Sequence, residues 1–186
     1  MTVTWVVVLI IAVIIVAAVV GYLLQQRQRS RSLRTRFGPE YERAVREHGS
    51  PEKAERALLA RQKRMEKVSI RSLSPPEHDR FADQWRGIQS HFVDDPAGSI
   101  RAADRLVYDV MQARGYPMGD FEHRAEDISV DHPHVVRNYR LAHEIALSEK
   151  EGKASTEDLR QGLVYYRDLF DELIEAHAVE GREARR

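Results

Sequence analysis

The 186-residue chain contains no cysteine. Disulfides, thiolate nucleophiles and Cys-built zinc or iron–sulfur sites are therefore excluded. The absence fits a reducing cytoplasm and is also compatible with export. Acids are missing from the first 39 residues, the first being Glu40. Phosphate-binding Gly-rich loops, a G-x-S-x-G elbow, a Walker pattern and H-E-x-x-H are all absent. No internal repeat is evident, and the one compositionally biased tract is the Arg/Ser/Gln stretch after residue 24.

Charge is balanced overall, with 29 basic and 29 acidic residues. The balance hides an asymmetry. Arg27, Arg29, Arg31, Arg34 and Arg36 precede Glu40, leaving 24 bases against 29 acids, a net of −5. A basic collar is thus followed by a mildly acidic region that repels phosphate, and no nucleic-acid partner is expected.

Residues 5–24 read WVVVLIIAVIIVAAVVGYLL, without a charge. Twenty helical residues at about 1.5 Å each span roughly 30 Å, the thickness of a bilayer's hydrocarbon core. Only a helix satisfies the backbone there. Trp5 and Tyr22 stand near the ends, where amphipathic rings favour the interface. A cleaved signal peptide fits less well, because MTVT carries no Lys or Arg before the apolar run. The reading is an uncleaved single-pass anchor in the cell membrane. The five arginines after it predict an outside N-terminus and a cytoplasmic C-terminal domain. They also offer contacts to anionic lipid. Ala17 and Gly21, four apart, are a short small-xxx-small pair of the kind that lets helices approach.

The remaining sequence is punctuated as helices. Pro39 to His48 is one, stopped by Gly49. Ser50 and Pro51 start a second, whose thin apolar stripe (Ala54, Leu58, Met65, Val68) lies in heavy charge. That pattern predicts a solvated stalk helix or a weak partner-binding one, more than a core helix. VSIRSL, residues 68–73, is expected to be an extended linker. Ser74 and Glu77 form a capping box before Phe81, Trp85, Ile88 and Phe92, the strongest amphipathic signal. Asp95-Pro96 opens a helix ending at Gly115. Asp120 caps a short one through Asp127. Asp131-His132-Pro133 starts another, ending at Gly152, and the cap at Ser155 leads into the last. The expected architecture is all-α: an N-terminal transmembrane helix with its collar (1–36), a charged helical stalk and linker (37–73), a bundle of four main helices (74–177), and a frayed tail (178–186).

Candidate chemistry is sparse. His132 and His134 are two apart and would diverge on a helix, so no metal site is expected. The pairs Glu122-His123 and His143-Glu144 splay apart. No catalytic residue and no cofactor is indicated. Tyr165 and Tyr166 cannot both face inward, which marks Tyr165 as a possible contact on a binding face.

The segments RFGPEYERAV, HFVDDPAGSIRAADRLV, MQARGYPMGDFEHRAEDISVDHPHVV and EDLRQGLVYYRDLFDELI resemble a family of uncharacterised bacterial proteins. Its members have a hydrophobic N-terminus and a helical C-terminal region and are often described only as secreted or membrane proteins. The resemblance runs from Arg36 to Ile174 and implies no activity, cofactor or catalytic residue. The function expected is a membrane-tethered interaction module that binds the lipid bilayer and either a cytoplasmic protein or itself. The alternative is a small enzyme or metal-binding domain with a site near 116–134. A cavity lined by several of Asp120, Glu122, His123, Asp131 and His134 would favour that alternative. An outward-facing envelope protein is a third possibility.

Overall fold

The computed structural model describes residues 2–175, and of residues 2–14, 19, 22–24 and 26 the backbone alone. The expected tail, 178–186, lies outside the described residues. Among those described, all regular structure is helical: α1 (Thr2–Phe37), α2 (Pro39–His48), α3 (Pro51–Met65), α4 (Pro75–His91), α5 (Pro96–Arg114), α6 (Phe121–Asp131), α7 (Val136–Lys150) and α8 (Thr156–Glu175). The all-α expectation holds. Among the described residues no helix is long and apolar enough to cross a membrane. Most side chains of the expected span Trp5–Leu24, including Trp5 and Tyr22 themselves, lie outside the described residues.

Local chemistry sets most helix boundaries. Pro39, Pro51, Pro75 and Pro96 occupy first helical positions, where the missing N–H costs nothing. Ser50, Asp95 and Asp120 each accept a hydrogen bond from the backbone N–H three residues on. The Ser155 hydroxyl accepts from the Asp158 N–H, while the Asp158 carboxylate accepts from the Ser155 N–H. Gly49 and Gly115 close α2 and α5 with φ of 76° and 89°. A side chain at Gly115 would also press on the Ser69 carbonyl, 3.0 Å from its Cβ.

The α6–α7 junction differs from expectation. α6 continues past Asp127 because Ile128, Ser129 and Val130 extend its buried face. Pro133 disfavours a helical His132 before it, so α6 ends at Asp131 and α7 waits until Val136. Asp131 therefore ends one helix instead of capping the next.

Helices α4, α5, α7 and α8 form an apolar bundle. Trp85 of α4 stacks on Phe170 of α8, with ring centroids 4.9 Å apart. Phe81, Ile100, Val107, Val110, Tyr139, Leu169 and Leu173 are buried around them. At Gly162, α8 passes so close to its neighbours that an added Cβ would lie 2.9 Å from Ile145 and 3.1 Å from Ile100. The C-terminal end of α8 is tied down by buried Arg114, which donates to the Leu173 carbonyl at 2.9 Å.

The helix expected to be a solvated stalk is packed instead. Ala54, Leu58 and Met65 of α3 join Tyr41 and Ala44 of α2 and Leu33 and Phe37 of α1 in the same continuous core as the bundle. The stripe looks thin in the sequence because one of its inward positions holds a charge. Arg61 falls between Leu58 and Met65, and it is buried. Residues 68–73 form the expected extended connector, pinned by the Arg71 N–H donating to the Arg114 carbonyl at 2.8 Å.

Candidate functional site

Three groups of polar residues stand out, each at a junction between helices. The first joins the α2–α3 hairpin to α6 and α7. Glu40, fully buried, accepts from Arg61 at 3.2 Å and from Arg140 at 3.1 Å. Arg61 continues to Glu126 at 2.9 Å, and Arg64 reaches Asp127 at 2.6 Å. Arg140 and Arg43 both engage Glu122. Burial pushes the Asp127 carboxyl up despite Arg64. Every carboxylate here is matched by a guanidinium, so the arrangement holds helices together and leaves no free acid or base.

The second group lies where the sequence offered its alternative site. His132 and His134 converge, contrary to the divergence expected, because neither is helical. Both address Glu172 of α8, with His132 Nδ1 at 3.0 Å and His134 Nε2 at 3.3 Å. His132 is buried. Burial pushes its pKa down against the pull of Glu172. Burial raises the Glu172 carboxyl, but hydrogen bonds from the two histidines outweigh it and leave the pKa lowered. A neighbouring cavity of about 440 Å³ is lined by Arg36, Arg114, Tyr116, Asp131 and His132, among others. Of the five residues that would have marked a catalytic or metal cavity, only Asp131 lines it. Asp120 caps α6 and pairs with His123 at 2.8 Å on the surface, and Glu122 belongs to the ionic junction. Among the described residues, no group of three or more His, Asp or Glu side chains is placed to hold a metal ion.

The third group is partly buried between α5, α7 and α8. Tyr166 donates to Asp104 at 2.7 Å, and His143 Nδ1 stands 3.9 Å from the same carboxylate, beyond hydrogen-bond distance. His143 stacks on Phe121 with centroids 3.6 Å apart. Burial opposes the charge on Asp104, yet the His143 and Tyr166 contacts prevail and lower its pKa. Burial pushes the Tyr166 phenol far up. A tyrosine so fixed donates a hydrogen bond and stays protonated. No sequence pattern signalled this triad, since its members are drawn from α5, α7 and α8.

The collar is divided by the fold. Arg27, Arg29 and Arg31 are exposed on α1 and have no side-chain partner among the described residues. Arg34 pairs with Glu42 at 2.7 Å and lies over the Tyr41 ring. Arg36 is exposed at the rim of the cavity beside His132. Tyr165 is half-buried against the core. A groove of about 550 Å³ runs between α4 and α5 and is lined by Ile88, Gly98, Ala102 and Leu106, among others.

Comparison with known proteins leaves the geometry to speak alone: no family model, curated protein or solved structure matches the chain.

Proposed function

We propose that the protein is a membrane-tethered helical interaction module, anchored by Trp5–Leu24 with its N-terminus outside and its helical region in the cytoplasm. One observation carries the reading. The apolar segment and the first core-forming turn belong to a single unbroken helix, α1, whose last residues Leu33 and Phe37 are buried. Further up the same helix, Ile15 and Val16 are 57% and 61% exposed, so the chain itself does not cover them. A lipid bilayer is the environment that would. The matched charges where the α2–α3 hairpin meets α6 and α7 favour a module that binds a protein, or a second copy of itself, over an enzyme. Membership of the bacterial family that the sequence resembles is part of this proposal.

A pair of C-terminal fusions tests it. Green fluorescence from one, inactivity of an alkaline phosphatase fusion, and retention in the membrane pellet after alkaline carbonate are the expected results. An active phosphatase would reverse the topology, and release by carbonate would remove the anchor.

A further inference from the structure

Two sets of contacts fix how far α2 and α3 reach back along α1. Arg34 of α1 pairs with Glu42 of α2 and covers Tyr41, so α2 returns antiparallel from the turn at Gly38. Ser30 of α1 donates to Glu55 of α3 at 2.6 Å, while Arg36 shares a cavity wall with Gln62 and Met65. α3 therefore runs parallel to α1. Both registers carry the hairpin tip, Gly49–Ser50, back to about the level of residues 24–27 of α1. The apolar stretch ends at Leu24, and the first charge is Arg27. At about 1.5 Å per residue the tip then lies within roughly 5 Å of the hydrocarbon edge, at the headgroup layer.

Side chains at that level are basic and unengaged. Arg27, Arg29 and Arg31 on α1, Arg46 on α2 and Lys53 on α3 are exposed and have no side-chain partner among the described residues. Arg56 is exposed and donates only to the Glu52 carbonyl. The junction arginines Arg61, Arg64 and Arg140, by contrast, all pair with carboxylates. Exposed acids nearby are limited to Glu47 and Glu52, and Glu55 is turned inward onto Ser30 and Tyr41.

We propose that the α2–α3 hairpin tip and the adjoining face of α1 form one basic surface that binds the headgroups of anionic lipids and holds the helical region against the bilayer. The proposal rests on the tethering reading, because α1 must cross the membrane for the tip to meet it. A basic residue near an anionic surface strengthens attraction about fivefold, so the hairpin adds materially to the α1 arginines. Arg34, engaged with Glu42, contributes less.

The absence of cysteine makes the test direct. The full chain carrying Glu52→Cys at the tip, or Lys63→Cys about 16 Å further along α3, is spin-labelled and reconstituted. One set of vesicles is phosphatidylcholine alone and the other contains phosphatidylglycerol. Accessibility of the label at 52 to a water-soluble nickel chelate should fall several-fold in the anionic vesicles, while the label at 63 should not change. Raising salt to about 0.5 M should restore it, as should Arg46→Glu with Lys53→Glu. Both substituted positions are exposed, and circular dichroism of the variant should match the parent. Equal accessibility at 52 in the two vesicle types overturns the proposal, as does insensitivity to the double charge reversal. A protein stripped from both vesicle types by alkaline carbonate overturns the tethering reading itself, and the lipid contact with it.

Discussion

The seam between α5 and α8 is chiefly apolar, with the Tyr166–Asp104 and Arg114–Leu173 hydrogen bonds at its margins, whereas the seam between α3 and α6 is chiefly ionic. At the first, Ile100, Val107, Leu169 and Phe170 exclude water, and Gly162 brings the backbones close. At the second, Arg61 and Arg64 meet Glu126 and Asp127. Apolar packing is non-directional and carries no charge for salt to screen. Buried ion pairs are directional, and their attraction is largely offset by the desolvation of both partners. The first seam therefore supplies stability. The second fixes how the hairpin is oriented on the bundle.

The largest expected effect breaks the first seam. Phe170→Ala removes the ring that stacks on Trp85 and should cost about 3–5 kcal/mol. Chemical denaturation should give the same loss at low and high salt. A salt-dependent loss would erase the contrast between the seams.

Next comes Glu40→Leu, which leaves buried Arg61 and Arg140 without their shared carboxylate. A loss of about 3 kcal/mol is expected. Combining it with Arg61→Met and Arg140→Met should recover most of that loss, because Glu122 and Glu126 reach solvent. Failure of the triple variant to recover would mean that the ionic seam does supply net stability. Hydrogen exchange on the same variants should show the α2–α3 hairpin opening before α5 and α8.

The smallest effect is a pH slope. Burial lowers the His132 pKa, so the unfolded chain takes up protons that the native state refuses. This contribution is complete above the unfolded value, about 6.5, and declines as pH drops toward the native one. Glu172, with a lowered pKa, acts in the same sense at more acid pH. Its contribution is present above its unfolded value, about 4.5, and is lost as pH falls through the native one. Denaturation of His132→Gln across this range should lose the slope just below 6.5 and weaken the acid one, because His132 is one of the two histidines that lower the Glu172 pKa. An unchanged slope would place the titration elsewhere.

Helix existence was legible because it is local. Proline at first positions, Ser and Asp caps and terminal glycines each act within four residues, and they marked α2, α4, α5 and α8 correctly. Pairings across helices were not legible. Glu40 and Arg140 are 100 residues apart, and nothing in either neighbourhood names the other. One signal was present and misread. The α3 stripe skips from Leu58 to Met65 with an arginine at the intervening inward position, which denotes a buried charge as well as it denotes a thin face. His132 and His134 were judged by helical spacing, yet Pro133 between them argues against a helix.

The unbroken course of α1 has a mechanical consequence. Between its apolar stretch and Phe37 there is no proline, and its one glycine, Gly21, lies inside that stretch, leaving residues 25–37 without a joint to absorb motion. A one-residue rotation of an α-helix turns its face by about 100° and advances it about 1.5 Å. Because Leu33 and Phe37 are keyed into the core, the helix acts as a drive shaft: torque or thrust at one end arrives at the other as displacement of the α2–α3 hairpin.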